Sequence, residues 1–270
     1  MVETSVIAGV YNIEHCFSFE QSIRSILNQT YKNFEFILCD DGSTDRTWEI
    51  LCDIQKQDNR IKLLRNESNM GLATALNKCI KESKGLFIAR HDCDDYCDLE
   101  RLEKQIGYLK EHSAIAVLGC QVYLFDESGI WGKMQYPQKV RNEDFLFTMP
   151  YKHGAVVFRR DVLLQVGGYR VSKETYRAED YDLFMSLQTF CKGENLDEYL
   201  YYFCENKDAK RRRKYVYRFD EVKIRYIGFK KLNLLPKGFL YVIKPLLVGI
   251  MPEKWLEKAK DKFYKRKMRM

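Results

Sequence analysis

Residues 34–51 read FEFILCDDGSTDRTWEIL. The first six residues are an apolar-rich run of strand length. Asp40 and Asp41 follow, then Gly42 and Ser43 as turn chemistry. Ser, Thr and Asp then open a segment that keeps Trp48, Leu51 and Ile54 on one helical face. A strand that turns directly into an amphipathic helix is half of a βαβ crossover, and crossovers of this kind build parallel sheets.

The same pattern continues on both sides. Upstream, TSVIAGV (4–10) reads as a strand, and residues 16–28 carry Phe19, Ile23, Ile26 and Leu27 at helical spacing. Downstream come a strand at 61–64, a helix over 71–83, a strand at 85–90 and a helix over 99–111 with Leu99, Leu102, Ile106 and Leu109 inward. The fold class expected is α/β, with a mostly parallel central sheet and helices on both faces. Ligands of such sheets bind beyond the carboxyl ends of the strands. That rule puts four segments on one rim: Tyr11–Asn12, Asp40–Ser43, Asn69–Gly71 and Asp92–Asp95. After residue 115 the alternation loosens. A long strand from 115, a turn at 126–129 with an antiparallel return, a strand at 154–160, a short helix ending in glycine and an amphipathic helix from Glu179 complete the body.

Three acidic clusters stand out. Asp40–Asp41 exceed what a helix cap requires, since Ser43 or Thr44 can cap. The surplus carboxylates suit a nucleobase imide or ribose hydroxyls. The stretch HDCDDYCD (91–98) packs like charges that repel unless a cation sits among them. Carboxylate oxygens there suit Mn2+ or Mg2+, which would bridge a diphosphate. Glu179, Asp180 and Asp182 open a helix, where acids complement the dipole. One of them near an anionic donor is also placed to act as a general base. Cys93 and Cys97 beside His91 lack the second half of a zinc motif. His91, at a strand end, reads as a hydrogen-bonded structural residue.

Six segments stand in the order found in family 2 glycosyltransferases of the GT-A fold. They are SVIAGVYN, FEFILCDDGSTDRTWEIL, NMGLATALNKCI, GLFIARHDCDDYCDLERLEKQI, HGAVVFRRDVLLQVGGYR and AEDYDLFMSL. The chain resembles that family over residues 3–190. The resemblance implies a Rossmann-like GT-A domain over 1–206 that transfers one sugar, with inversion, from a nucleotide-diphosphate sugar, UDP being the expected nucleotide. It implies that Val10, Tyr11, Asn12 and Glu14 line the base pocket, and that Asp40 and Asp41 hold base and ribose. Asn69 and Gly71 would shape the donor floor, together with Asp92 and Cys93. The DxD-like element would bind the metal through Asp94, with Asp92 and Asp95. His153 and Gly154 would border the acceptor. Asp180 would be the base, with Glu179 beside it. Some relatives add a metal-ligating histidine from a later loop. This chain has no histidine after His153, and Arg211–Arg213 would supply positive charge instead. The QxxRW motif and spanning helices of processive members do not occur, so a single addition is expected, onto a growing, lipid-linked bacterial glycan of the cell surface. A nucleotidyltransferase would need a phosphate loop after the first strand, which AGVYN is not. A non-catalytic adaptor would not need acids at 94 and 180.

Composition bounds the rest. Hydrophobic residues make up 46% of 270, enough for a sizeable core. The opening MVETSVIAGVYN reads as a first strand rather than a leader. Nine cysteines, an odd number in strand- and helix-like runs, read as reduced thiols of a cytosolic protein. The net charge of +7 is uneven: residues 207–270 carry 21 Lys/Arg and 6 Asp/Glu, against 24 and 32 before them. Nucleic acid is not the expected partner, because no single-strand-binding module precedes the basic run. Residues 234–252 are apolar, too short to span a bilayer, and flanked by basic residues. A helical, basic C-terminal region at 207–270 is therefore expected to lie on the anionic inner face of the cell membrane.

Overall fold

The computed structural model describes residues 2–205, 215, 217–252 and 255. Arg211–Arg213 and most of the basic run lie outside them. Strands β1 (Thr4–Val10), β2 (Phe34–Asp40), β3 (Ile61–Arg65) and β4 (Phe87–Arg90) form a parallel block in the order β3-β2-β1-β4. The register pairs Val10 with Asp40 and Asp40 with Arg65, so their loops leave from one rim. Helices α1 (Phe19–Leu27), α2 (Thr47–Gln55), α3 (Leu72–Glu82) and α4 (Arg101–Glu111) connect and flank the block.

The period of two along each strand sorts the core into two layers. Ile7, Ile37, Cys39 and Ile88 face α3 residues Ala75, Leu76 and Cys79. Val6, Ala8, Phe36 and Leu38 face Ile23 and Ile26 of α1, Leu51 of α2, and Leu102 and Ile106 of α4. Both faces are covered, as a parallel sheet requires. Leu99 departs from the periodicity reading. It precedes α4 and is 50% exposed, because the helix starts only at Arg101.

The second half of the sheet is mixed. Its strands are β5 (Tyr96–Cys97), β6 (Ile115–Asp126), β7 (Gly129–Met134), β8 (Val157–Arg159) and β9 (Lys192–Cys204). β8 runs antiparallel to both β4 and β6, β9 runs parallel to β6, and β7 returns antiparallel on β6. This arrangement places the site. An antiparallel β8 begins where β4 ends, with Ala89 opposite Val157, so residues 152–156 arrive at the rim that the parallel strands leave. β9 points the same way as β4 and brings Tyr201 to Cys204 there as well. The run 154–160 is only partly strand, since His153–Ala155 is a 3-10 turn and Arg160 starts helix α5 (Arg160–Gln165). Helix α6 (Glu179–Leu187) then covers the α3 face with Phe184, which stacks between Tyr151 and Phe158.

Helices α7 (Tyr217–Lys231) and α8 (Phe239–Ile250) join this same core. Ile224, Phe229, Leu232 and Val242 are buried in it. Arg225 donates to the Leu146 carbonyl at 3.1 Å and Asn142 to the Leu232 carbonyl at 3.0 Å. Phe239, Leu240, Leu247 and Ile250 of α8 point outward and are 55–72% exposed.

Candidate active site

At the end of β2 the two aspartates serve the chain itself. Asp40 is fully buried. Its Oδ1 accepts from the Ser43 N–H at 3.0 Å, and its Oδ2 lies 3.0 Å from Nε of Arg65. Asp41 accepts from Asn66 Nδ2 (2.8 Å), the Met70 N–H (3.0 Å) and the Gly71 N–H (2.8 Å). It thus pins the loop between β3 and α3 to the end of β2. Gly42 lets that loop come close. Its φ is +69°, and a Cβ there would stand 2.5 Å from Ser68 Cα.

The loop after β1 is clasped to the same turn. Asn12, at φ 50°, donates its N–H to Ser43 Oγ (2.9 Å) and accepts from the Thr44 N–H (3.0 Å). The Glu14 N–H donates to Asp45 at 3.1 Å. Val10 is buried beneath, while Tyr11 and Asn69 are exposed on the rim. Tyr11 offers a flat ring at the edge where the resemblance expects a base.

The end of β4 is different. Arg90 is fully buried and its guanidinium pairs with Asp92 Oδ1 and with the His91 carbonyl. Burial opposes the charge on Asp92, but Arg90, and after it Lys152, outweigh it and hold the carboxyl well below the usual range. The Asp92 N–H donates to the Tyr201 hydroxyl at 3.1 Å. Cys93 is buried. Asp94 lies exposed on the rim. The low-dielectric walls around it, and the charge of Asp92, raise its carboxyl. Asp95 turns the other way. It is fully buried and accepts from the Cys204 N–H at 2.8 Å, which ties the DCDD turn to the end of β9. The sequence grouped Asp95 with the metal ligands, but its carboxylate does not share the surface of Asp94. His91 is buried too, with Nε2 2.8 Å from Ser22 Oγ, and all nine cysteines are unpaired.

Residues 152–154 come against Asp92 from β8. Gly154 is buried, and a Cβ on it would stand 2.6 Å from Asp92 Oδ2. His153 is buried with Nε2 2.6 Å from the Tyr169 hydroxyl, and burial, then Arg90, push its pKa down to about 3. Both residues therefore shape the site from beneath Asp92. At the start of α6, Asp180 accepts from the Tyr181 N–H at 2.7 Å. Burial raises its carboxyl, and the charge of Asp92 adds to that rise. Glu179 is raised to about 8 by burial and by Asp180, and its Oε2 is buried without a partner among the described residues. Asp182 instead pairs with Arg170 through two 3.0 Å bonds. The charge of Asp92 thus reaches Asp180, 88 positions away in sequence, across one site.

Three residues here escaped the sequence reading: Arg90, Lys152 and Tyr169. Arg90 left a faint signal, as a charge ending an apolar strand run. Lys152 and Tyr169 left none, because their place depends on β8 running antiparallel to β4. Among the described residues, no three His, Cys, Asp or Glu side chains converge as a metal cage. Asp94 and the second oxygen of Asp92 are the hard oxygens on offer. Two carboxylates suit an ion of the Mg2+ or Mn2+ type that completes its shell with substrate phosphates and water.

A family model for glycosyl transferase family 2 matches residues 5–173. The chain belongs to this family. As a family 2 glycosyltransferase it is 38% identical over 252 residues to EpsE of Bacillus subtilis, a protein with a provisional glycosyltransferase name, covering 93% of this chain and 90% of EpsE. It is 36% identical to WfgD of Escherichia coli, a UDP-Glc:alpha-D-GlcNAc-diphosphoundecaprenol beta-1,3-glucosyltransferase, over 68% of each chain. The transferase fold is shared with S. aureus TarS 1-349 in complex with UDP-GlcNAc, at TM-score 0.69 and 21% identity, over 91% of this chain and 71% of that one. It is shared as well with the mannosyltransferase PcManGT from Pyrobaculum calidifontis in complex with GDP-Man and Mn2+, at TM-score 0.63 and 16% identity, over 94% and 71%. The nucleotidyltransferase and adaptor readings are thereby set aside.

Proposed function

We infer that this glycosyltransferase moves one sugar from a UDP-sugar to a hydroxyl of a lipid-linked glycan, with inversion, in the assembly of a bacterial cell-surface polysaccharide. The observation that carries the reading is the meeting of two acid pairs at one rim: Asp92 and Asp94 after β4, and Glu179 and Asp180 at the start of α6. The relatives support its finer terms. WfgD is named for a UDP-glucose donor and a diphosphoundecaprenol-linked acceptor, and AmsE of Erwinia amylovora, 29% identical over 94% of this chain, for amylovoran biosynthesis.

In this reading Tyr11 stacks on the base, the β2 turn and the 66–71 loop hold the nucleoside, and Asp94 with Asp92 would hold Mn2+ or Mg2+. Such an ion, when bound, would supply charge neutralisation at the diphosphate. Arg90 keeps Asp92 ionised and fixed in direction. Asp180 takes the proton of the acceptor hydroxyl as its oxygen bonds to the anomeric carbon. Direct displacement from the opposite side of the ring inverts that carbon. Glu179 stays protonated up to about pH 8 and so leaves Asp180 as the ionised member of the pair.

The exposed apolar residues of α8 and the basic C-terminal region support a peripheral position on the inner, anionic membrane face. No helix of the described residues is long and apolar enough to cross a membrane. Reversing the charges of Arg211–Arg213 while making Phe239 and Leu240 polar should then release the protein from anionic vesicles. The test of the whole reading is a sugar-nucleotide panel with and without Mn2+. UDP-sugar hydrolysis and transfer that disappear in Asp94→Ala support it. Turnover of Asp94→Ala at the parent rate would overturn the metal role, and preference for another nucleotide would overturn UDP.

A further inference from the structure

The acid cluster leaves an unanswered charge. Arg90 answers Asp92, but Asp94, Glu179 and Asp180 meet no cation within ion-pair distance among the described residues. Lys152 is nearby and unused. Its ammonium stands 3.1 Å from the centroid of the Phe203 ring on β9, and it makes no ion pair among the described residues. Phe203 adjoins Cys204, whose N–H donates to Asp95 at 2.8 Å, so the ring that seats Lys152 belongs to the strand end that holds the DCDD turn. A cation beside this acidic turn yet parked on an aromatic ring is held in a seat of modest strength. The backbone fixes where its stem begins. Lys152 is extended at φ −88°, ψ 118°, and its carbonyl accepts from the Ala155 N–H at 2.9 Å. Gly154, two residues on, is pressed against Asp92.

We propose that Lys152 is the side-chain cation of the donor site, acting beside the ion that Asp94 and Asp92 would hold: it leaves the Phe203 ring to contact the diphosphate of the sugar nucleotide and stays on it as the sugar departs. The proposal rests on the nucleotide-sugar reading above. In the transfer step the acceptor oxygen forms the new bond to the anomeric carbon, and its proton passes to Asp180. The pair of the broken C–O bond leaves on the terminal oxygen of the nucleoside diphosphate. Lys152 neutralises the charge that develops there and gives up no proton. An ammonium on a flexible four-carbon stem suits this task, since it follows the leaving group as a point charge.

The test is calorimetric binding of pyrophosphate, UDP and UMP to the full chain in Mn2+, with initial transfer rates alongside. Lys152→Met keeps the stem and removes the charge. It should weaken pyrophosphate and UDP by about tenfold or more, the scale of one charge-assisted contact. It should leave UMP binding close to the parent and lower kcat more than it raises the acceptor KM. Lys152→Arg should recover part of the diphosphate affinity. Phe203→Leu should leave pyrophosphate binding as tight as in the parent or tighten it, since the competing seat is gone. Where the methionine variant melts early, Lys152→Gln makes the same comparison. Parent-like pyrophosphate and UDP binding in the uncharged variants overturns the proposal, as does failure of the parent to bind either. A parent that binds pyrophosphate but no sugar nucleotide defeats the donor reading, while the pyrophosphate arm still decides Lys152.

Discussion

The ends of β2 and β4 carry the same sequence signal and opposite chemistry. Each is a buried strand followed by paired aspartates, and both lie on one rim. At β2 the charges are consumed: Asp41 accepts three hydrogen bonds from the 66–71 loop, and Asp40 is met by Ser43 and Arg65. At β4, Arg90 satisfies one oxygen of Asp92, and Asp94 makes no ion pair among the described residues. A carboxylate whose partners are its own neighbours builds the floor of a site. One left without them is available to a ligand. Acid count alone does not separate the two cases.

The contrast can be broken by mutation. The largest effect is expected on the open side. Asp180→Asn removes the proton acceptor and keeps the shape, so transfer should fall by about 10²-fold or more. Donor binding by calorimetry should persist. Normal transfer by Asp180→Asn with loss in Glu179→Gln would exchange the roles within the pair. On the closed side, Asp41→Ala should act on stability first. It strips one acceptor from three donors, at about 1–3 kcal/mol for each donor left buried. Urea unfolding reads this, and Asp94→Ala in the same assay should unfold no earlier than the parent, because its charge is disfavoured in the fold. Equal destabilisation by the two variants would erase the distinction drawn here.

A smaller effect tests what holds the open side in place. Gly154→Ala must push against Asp92 and the Tyr201 hydroxyl. A cost of about 1–3 kcal/mol, the usual scale of overpacking, should appear in unfolding, with a drop in metal-dependent donor affinity. Unchanged affinity would mean that Asp92 does not need its position. The smallest effect is in pH dependence. Glu179 has its folded pKa raised to about 8 from 4.5, so the folded state holds the proton more tightly. Its contribution to stability is full below pH 4.5 and is lost as pH rises through about 8. Glu179→Gln should flatten that decline in the melting temperature between these values. An unaltered profile would assign the decline to other groups.

The βα alternation was legible because local chemistry makes it so. Period-two and helical spacing, glycine turns and Ser/Thr/Asp openings are properties of neighbouring residues. They located β1 to β4 and their helices to within a few positions, and the sheet rule then put the acidic turns on one rim. The chain order of six segments carried the family. What the sequence left open depends on residues far apart. Asp95 looks like Asp94 on paper, and only the backbone end of β9 turns its carboxylate inward to Cys204. Leu99 fits a helical stripe, yet the helix begins after it. The basic C-terminal region announced its charge but not that Ile224, Phe229 and Val242 complete the core beneath α6. Lys152 carried no signal at all, because its place on this rim depends on the antiparallel pairing of β8 with β4, more than sixty residues away. Local pattern fixes which strands and helices form and where their ends lie. Which charge meets which is set by strand order and direction, where a carboxylate is satisfied or left open according to partners that only the assembled sheet brings within a few ångströms.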